Sequence, residues 1–528
     1  MPENPVTSEI ELPEQHNAEE PVSPALDDSS DECEVDLAFE EPPPLLDALY
    51  MQYFVVGLVY GVLPGTLYGF YMGYLQVDAH VYATTIQVIA LPWSFKFVFG
   101  LMNDCKPLFG YRRLSYMALG WAICGVALGV LANTEMPAPG DKDAAGAFAA
   151  RMAVAAIGYV MADVAADGLV VQLAKKESLR DRGTIQTNVY LVRTLGSIVA
   201  ALFVGLFMNG YQYNGSFDFT LSFSEVCAVI CVPSIAMVPI SWIFIPDSPA
   251  EGQNISTYLR ECWQLLQSKA MFYVIIYNLG HAIVGGISTT AGANVSQEWA
   301  GVKNLQAQLF GVVGMAIFAG GLALVKKYLL NYSWRKTIVA ATLVLGVVDI
   351  TFVYCTIYNV VRNQYFFLGE DILVMVPAAA RFVVTTFVVV EMSPEGKEGI
   401  TYGMLTTLHN LGGPIARAIA NTIFGTQFEG LTDAANYKAD TSAFRDEVAW
   451  SYFVSYACGL AALGFLYFLP DQKVETLQRL KEWGSKRWYA QATVAGTLLL
   501  WIYAMTANLL VMFPSTSCLK LVGGSGCD

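Results

Sequence analysis

Residues 100–113 read Gly100-Leu-Met-Asn-Asp104-Cys-Lys106-Pro-Leu-Phe-Gly110-Tyr-Arg112-Arg113. They close one apolar segment and lead into the next. The two glycines permit a tight turn and a close approach of the flanking helices. Asp104 can bind the arginines or a neighbouring helix N-terminus in one conformation and release them in another. We therefore predict a conformational motif of Gly100, Asp104, Gly110, Arg112 and Arg113; the alternative is a basic loop that only sets membrane topology.

The composition of the whole chain indicates a protein that folds in lipid. Of its 528 residues 55% are hydrophobic and 14% are charged, whereas a soluble domain is about 25% charged. The net charge of −15 comes from residues 1–50, which hold 15 acids and no base, so the remainder has 30 of each. Residues 1–46 are therefore predicted to be a disordered acidic cytosolic tail, and the acidity says nothing about the substrate.

Apolar segments long enough to cross a bilayer, about 20 residues each, recur along the rest of the chain. They predict an all-α polytopic membrane protein with twelve helices and a thirteenth candidate. The segments are 47–75, 82–103, 114–132, 147–174, 184–209, 222–245, 270–292, 305–330, 334–358, 366–391, 399–425, 448–469 and 489–513.

The longest link between early and late spans divides the chain into domains. Residues 47–245 are predicted to form an N-terminal six-helix half and residues 270–470 a C-terminal six-helix half. Residues 246–269 are a central cytosolic loop, and 471–528 an amphipathic stretch with a possible thirteenth helix and tail. The even-numbered connections and the stretch after the twelfth helix carry 19 Lys and Arg residues against 7 on the other side, which predicts a cytosolic N-terminus. With no targeting signal visible, we expect the plasma membrane.

Three motifs suggest a family. They are Pro92-Trp93-Ser-Phe-Lys96, the ending Gly110-Tyr111-Arg112-Arg113, and Ala162-Asp163-Val-Ala-Ala-Asp167-Gly168-Leu-Val-Val-Gln172. The spacing of residues 100–113 resembles the loop between the second and third helices of the major facilitator superfamily, and the three motifs together resemble the folate–biopterin transporter family. The chain departs from that family's usual loop, since Phe-Val-Phe-Gly follows Lys96 and Asn103 precedes the acid.

The resemblance implies a major-facilitator-type bundle of two six-helix halves with a substrate site at their interface. It implies a secondary transporter that carries folates or pterins together with protons by alternating access. We expect a monomer in a lipid bilayer, with no cofactor, no metal and no nucleic-acid partner. Another small organic anion is the alternative cargo, and a receptor or channel that does not transport is the alternative class.

Charges inside predicted spans are candidates for function, because a charge at mid-bilayer costs about 2.5–3.5 kcal/mol. Asp163 and Asp167 are four residues apart and share one helix face. Two neighbouring carboxylates resist ionising together, which suits them to taking and releasing a proton. With Asp349 they are the predicted proton-coupling residues. The alternative is a structural ion pair with Arg193 or Lys96, and the two roles are compatible.

Cations in the spans are candidates for binding an anionic substrate. A guanidinium offers a planar pair of donors matched to a carboxylate, and an arginine near a helix end that reaches to the membrane surface is the alternative. A flat pterin ring requires aromatic and amide partners. The predicted substrate-binding residues are Arg193, Arg381, Arg417, Lys96, Tyr71 and Asn188.

Two histidines and a glycine-proline sequence complete the set of polar features in the spans. His281 and His409 are either proton relays or polar groups that hydrogen-bond between helices. Asn410-Leu-Gly-Gly-Pro414 predicts either a bend in the eleventh helix or tight packing. The chain has four histidines, no HExxH sequence and no Walker sequence, so we do not expect an enzyme. Cys518 and Cys527 are the cysteines placed to pair.

Overall fold

The computed structural model describes residues 46–174, 184–245, 247, 249, 251–328, 332–392 and 398–527. The acidic tail through residue 45 and the basic loop 175–183 lie outside them. The described residues are nearly all helical. The helices are α1 Asp47–Leu67, α2 Ala79–Ala90, α3 Lys96–Cys105, α4 Leu114–Ala132, α5 Ala145–Ala174, α6 Thr184–Phe207, α7 Phe223–Phe244, α8 Ile255–Leu266, α9 Lys269–Gly285, α10 Gly292–Asn294, α11 Asn304–Tyr328, α12 Trp334–Ile357, α13 Gln364–Leu373, α14 Met375–Glu391, α15 Glu398–Gln427, α16 Ala434–Ala439, α17 Ser442–Ala461, α18 Lys473–Glu482, α19 Arg487–Met512 and α20 Pro514–Ser517.

Within this described part, ten helical runs are long and apolar enough to cross a membrane, judged by length and composition. The other three predicted spans correspond to α9, which has 17 residues, to the interrupted pair α13 and α14, and to α15, which carries polar residues along its length. The thirteenth candidate is α19, one of the ten. We call α1–α7 the first half and α9–α17 the second half. The face where α1 begins and α3 ends is the basic face, and the other is the opposite face.

Small residues bring helices of the first half into backbone contact. A Cβ atom on Gly57 of α1 would lie 2.0 Å from the carbonyl oxygen of Arg193 on α6, and one on Gly196 would lie 2.2 Å from that of Phe54. Close approach of this kind is how membrane helices pack without a hydrophobic driving force. It fixes Arg193 on α6 directly against α1.

The sequence Asn410 to Pro414 does not interrupt α15, which continues through it. A Cβ on Gly412 would lie 2.5 Å from Ala282 Cβ of α9, and one on Gly413 would lie 2.8 Å from Gln87 Oε1 of α2. The glycines therefore serve tight packing of α15 against both halves in this conformation.

The two halves are hydrogen-bonded to each other near the opposite face. Tyr68 Oη donates to the carbonyl of Val302 at 2.8 Å, and Asn304 Nδ2 donates to the carbonyl of Met208 at 2.7 Å. Gln308 Nε2 adds a bond of 3.1 Å to the carbonyl of Gly65. In this conformation the opposite ends of the halves are held together.

The C-terminal residues follow α19 as a compact cap. It contains α20 and a one-turn helix at Lys520–Val522. Cys518 and Cys527 form a disulfide, which confirms the predicted pairing.

Candidate functional site

The motif at residues 100–113 forms a sharp turn closed by an ion pair. Arg113 Nη2 lies 2.8 Å from Asp104 Oδ1. The turn needs Gly110, whose φ is +82°. The Arg113 guanidinium lies against α5, where a Cβ on Gly168 would be 2.3 Å from Nη1. The structure thus brings together the predicted acid and one of the paired arginines, and joins them to α5.

The central loop is bound to the same turn, which the sequence had not indicated. The backbone N–H groups of Arg113 and Leu114 donate to Asp247 Oδ2 at 3.2 and 3.1 Å. Asp247 therefore supplies a negative charge at the N-terminus of α4, where it is stabilised by the helix dipole. Gln253 N donates to the Asp104 carbonyl at 2.9 Å, and Arg112 donates to the Glu251 carbonyl.

Three helices of the first half bring charged side chains to one place, and a fourth adds a tyrosine. Lys96 Nζ lies 3.1 Å from Asp163 Oδ2 and 3.2 Å from Asp167 Oδ2. Arg193 Nη1 lies 3.4 Å from Asp163 Oδ1. Tyr53 Oη donates to Asp167 Oδ1 at 2.8 Å. We call these five residues the first-half charge cluster; both the ion pair and the paired acids anticipated from the sequence are present in it.

The charge cluster is buried unevenly. Asp163 is fully buried, the Lys96 and Arg193 side chains are 15% and 17% exposed, and that of Asp167 is 27% exposed. Two acids balance two bases, so the cluster is neutral overall when all four are ionised. Asp167 is therefore the more exposed of the two acids.

Aromatic rings cover the cations of the cluster. Lys96 Nζ lies 4.6 Å, and the Arg193 guanidinium carbon 4.9 Å, from the centroid of the Trp93 ring. Arg193 also lies 5.3 Å from the ring of Tyr60. Trp93 Nε1 donates to Tyr159 Oη at 3.2 Å. Sequence reasoning singled out none of these three rings as a site residue, although Trp93 lies only three residues before Lys96.

The second half contacts the residues on either side of Lys96 through α15. Asn410 Nδ2 donates to the carbonyl of Trp93 at 3.1 Å, and Phe97 N donates to Thr407 Oγ1 at 2.9 Å. These contacts flank Lys96 along the chain. The cluster is therefore next to the interface between the halves.

The cations of the second half have different surroundings. Arg381 on α14 lies near His281 and His409, and the His281 ring lies 5.4 Å from that of Tyr277. Arg417 Nη2 donates to Ser288 Oγ at 3.1 Å. The two histidines, which the sequence left as relays or interhelical polar groups, thus lie beside one of the predicted substrate-binding arginines.

Besides Arg381 and Arg417, three predicted site residues lie outside the charge cluster. Tyr71 is fully buried and donates to the Ala145 carbonyl at 2.8 Å. Asn188 Nδ2 lies 3.4 Å from Tyr50 Oη. Asp349 has Glu370 and Tyr456 as its polar neighbours, so the structure does not bring it to Asp163 and Asp167. Glu370 was not found from the sequence, although it too is a charge inside a predicted span.

The part of the chain that the structure describes contains no group of three or more His, Cys, Asp or Glu side chains placed to hold a metal ion.

Comparison with known proteins agrees with this architecture. The model of the BT1 family matches residues 57–483. A "Folate-biopterin transporter" of Synechocystis is 23% identical over 72% of this chain and 73% of its own length. A "Probable folate-biopterin transporter 6" of Arabidopsis thaliana is 24% identical over 68% of this chain and 73% of its own.

Two solved structures share the fold at low sequence identity. A D-xylose-proton symporter superposes with a TM-score of 0.57 at 14% identity, covering 80% of this chain and 97% of its own. The nucleoside transporter NupG superposes with a TM-score of 0.55 at 14% identity, covering 79% and 98%. This chain therefore shares the fold of these two solved transporters.

Proposed function

This chain belongs to the BT1 family and is a multi-pass membrane transporter, and we propose that it carries folates or pterins by proton-coupled symport. The names of its relatives support the cargo. The observation that carries the coupling is the first-half charge cluster, in which one lysine is bound by two carboxylates.

The cluster supports proton coupling because its acids and bases compete. Lys96 is bound by both Asp163 and Asp167, and Tyr53 holds Asp167 in place. A proton on Asp167 removes one of the two attractions on Lys96 and leaves the cluster one positive charge in excess. An anionic substrate bound between the halves compensates that charge. Proton and anion are thus favoured together, which is the requirement of symport.

The substrate is proposed to bind between the halves, where α15 meets Trp93. Lys96, Arg193, Arg381 and Arg417 are our candidates for its anionic groups. Tyr71 and Asn188 are held by hydrogen bonds elsewhere in the first half, which favours a structural role for them. Asp349 is proposed as a separate proton-accepting position in the second half, beside Glu370.

The motif Gly100, Asp104, Gly110, Arg112 and Arg113 is proposed to stabilise one conformation of the transport cycle. The Asp104 and Arg113 pair joins the turn to α5, and Asp247 joins it to the central loop. Movement of the second half changes the position of that loop, so these bonds are suited to break and re-form during alternating access.

Uptake of radiolabelled folic acid and biopterin by cells that express the chain tests the proposal. Uptake is measured at pH 5.5 and 7.5, with and without a protonophore, for the wild type, Asp167→Asn and Arg193→Ala. Asp218→Asn is the matched control, because Asp218 is exposed outside the cluster. We expect acid-stimulated, protonophore-sensitive uptake that both cluster variants lose and the control keeps.

The possible results separate the parts of the proposal. Pterin uptake that does not change with pH or with the protonophore contradicts proton coupling but still supports the proposed cargo. Surface expression without pterin uptake contradicts the cargo, and competition by other organic anions then identifies the alternative substrate class.

We also propose that the chain resides in the plasma membrane with its basic face in the cytosol, as a monomer. A protease-cleavable tag placed before residue 47 reports its side of the membrane. Cleavage in intact cells would contradict this orientation.

A further inference from the structure

The two halves differ in how their buried cations are compensated. In the first half, Lys96 and Arg193 each lie within 4 Å of an aspartate. Arg381 and Arg417 of the second half form no ion pair with any acid that the structure describes. A cation buried without a counter-charge is strongly disfavoured unless an anion joins it.

Arg417 is the sharper case, because its hydrogen-bonding capacity is mostly unused. Nη2 donates to Ser288 Oγ, while Nε and Nη1 are buried and have no hydrogen-bond partner. Each of these two unused nitrogens lies beside Nη2 on one of the two donor edges of the guanidinium that match a carboxylate. The neighbouring α15 side chains, Ile415 and Ala418, are apolar and buried, so they offer no alternative acceptor.

The backbone near Arg417 is irregular in the way that marks binding sites in transporters. The seventh span is interrupted between α9, which ends at Gly285, and α10, which begins at Gly292. Ser288 lies in this interruption, and Thr289 next to it is held by Ser455 and Ser451 of α17 at 2.8 Å each. Transporters often form their substrate sites with discontinuous helices.

Arg381 adds a second donor group nearer the interface. Its neighbours His281, His409 and Tyr277 carry ring nitrogens and a hydroxyl and no negative charge. His409 precedes Asn410, whose amide binds the Trp93 carbonyl of the first half. A series of polar side chains therefore extends from the charge cluster of the first half to Arg381 in the second half.

We propose that the carboxylate of the substrate is bound by the second half, at Arg417 beside the interruption of the seventh span, with Arg381 and its two histidines lining the approach. Lys96 and Arg193 remain engaged with Asp163 and Asp167. The site takes a carboxylate-bearing ligand and leaves the uncharged part of the molecule to the aromatic rings around Trp93. This inference rests on the proposed function and assigns the binding of the substrate's carboxylate to Arg417.

A comparison of a charged and an uncharged pterin tests the assignment. Folic acid carries carboxylates and biopterin carries none. Arg417→Gln is expected to weaken folate uptake about 10- to 100-fold, the effect of losing a charge-assisted hydrogen bond, with biopterin uptake nearly unchanged. Arg417→Lys restores part of the folate uptake because it restores the charge. Arg260→Gln, an exposed arginine of α8, is the matched control.

Binding to the purified full-length protein gives a readout that does not need transport. p-Aminobenzoylglutamate is the anionic part of folate without the pterin ring. It is expected to raise the melting temperature of the wild type and not that of Arg417→Gln. An equal loss of folate and biopterin uptake in Arg417→Gln, or equal stabilisation of both proteins, overturns the anion site. If the wild type takes up no pterin, the proposed cargo fails, and the melting test still decides the anion site.

A second inference comes from the C-terminal helix, which contacts both halves. Trp501 of α19 packs edge-on against Phe95 of the first half with ring centroids 5.7 Å apart. Asn508 Nδ2 donates to the Pro414 carbonyl of the second half at 3.0 Å. Near the end of the helix, Met512 belongs to the core of the first half.

The disulfide-closed cap continues this bridge at the opposite face. His80 Nε2 of α2 is hydrogen-bonded to the Ser517 carbonyl at 3.0 Å, and Thr422 Oγ1 of α15 donates to the Leu521 carbonyl at 2.7 Å. Gly523 is wedged between them, since a Cβ there would lie 3.2 Å from His80 Cβ and 3.1 Å from Asn421 Cβ. The cap thus joins α2 and α15.

We infer that the cap, residues 514–527, holds the opposite ends of α2 and α15 together and favours the conformation that is closed at that face. The disulfide keeps the cap compact enough to reach both helices. Breaking it shifts the population toward opening at the opposite face.

Labelling of a reporter cysteine tests the cap. Leu305→Cys places a thiol between the halves at the opposite face, where Leu305 lies 3.3 Å from the Cβ position of Gly205. Adding Cys518→Ser with Cys527→Ser should speed its reaction with a maleimide by about fivefold or more, the usual lower range for coupled sites. Thr422→Val, which keeps the disulfide, should act in the same direction. Cys355→Ser with Cys458→Ser, two unpaired cysteines, is the control. Labelling rates equal to the control in both variants contradict the inference.

Discussion

Replacing Asp163 by Asn disturbs the one acid that binds both cations of the first-half charge cluster. Asp163 lies 3.1 Å from Lys96 and 3.4 Å from Arg193. In the variant Lys96 keeps its contact with Asp167, whereas Arg193 loses the only acid within 4 Å of it among the described residues. One positive charge is then unbalanced in the membrane interior.

The expected loss of stability follows from burial. Removing one partner of a buried ion pair costs about 3–5 kcal/mol. Asp163 is fully buried and the two cations are 15% and 17% exposed, so solvent screens the interaction little. Because Lys96 retains Asp167 and Arg193 retains the face of Trp93, we expect the lower end of that range, about 3 kcal/mol.

A second substitution separates charge imbalance from lost packing. Lys96→Met combined with Asp163→Asn leaves Arg193 and Asp167, which balance each other. We expect the double variant to be more stable than Asp163→Asn alone, with a coupling of about 1–3 kcal/mol.

The effect is measured as the melting temperature of each purified protein in detergent. Intrinsic tryptophan fluorescence detects the melting. Asp218→Asn serves as the control for a change of charge at an exposed position. If the double variant melts below both single variants, with the two losses adding, the cluster is not stabilised by charge balance and the reasoning is refuted.

Three further predictions concern other parts of the molecule. Gly57→Ala should sharply lower the yield of folded protein, because its Cβ would lie 2.0 Å from a backbone oxygen of α6. Gly459→Ala should not, because nothing lies within 4 Å of its Cβ position. Size-exclusion profiles compare the two variants. Asp104→Asn should lower uptake about tenfold without reducing surface expression, as expected if about 1.4 kcal/mol is lost from one conformation, and exchanging the pair as Asp104→Arg with Arg113→Asp should restore part of it. In the loop before α17, hydrogen bonds from Arg445 and Arg362 hold the pKa of Asp440 well below its usual range. Its stabilising effect is therefore complete above about pH 4, the ordinary pKa of an aspartate, and is lost as the pH falls further, so melting curves of Asp440→Asn between pH 3 and 7 should show less acid sensitivity than the wild type.

The helices and the charged residues of the first-half cluster were predictable from the sequence, for a physical reason. A segment must be apolar for some twenty residues to cross a bilayer, so the spans are visible in composition alone. A charge inside such a segment is costly, so Lys96, Asp163, Asp167 and Arg193 stand out one by one. That they meet follows from the need to neutralise each other.

The partners of these charges were not predictable in the same way. Tyr53 and Trp93 are two of many aromatic residues in the chain, and nothing local distinguishes them from rings that face lipid. Their roles come from helix packing, which depends on close contacts such as that between Gly57 and Arg193. Asp247 likewise appears as one acid in a polar loop until the fold places it at the N-terminus of α4. Sequence periodicity describes a helix and its faces, and not which other helix it meets.

The arrangement of charges also bears on how substrate and proton are linked. Among the described residues, Lys96 and Arg193 of the first half are paired with aspartates, whereas Arg381 and Arg417 of the second half form no ion pair with an acid. We propose that the first half exchanges a proton at Asp167. If the anion binds in the second half, its charge must act on Lys96 through the contacts that α15 makes with the first half. Asn410 binds the Trp93 carbonyl on one side of Lys96, and Thr407 binds Phe97 on the other. A substrate that draws His409 toward it moves the same stretch of α15, while Arg381 lies on the neighbouring α14. Lys96, which binds two carboxylates, therefore lies between two contacts of the second half with the first. We propose that this placement lets one cluster respond to both the proton and the anion.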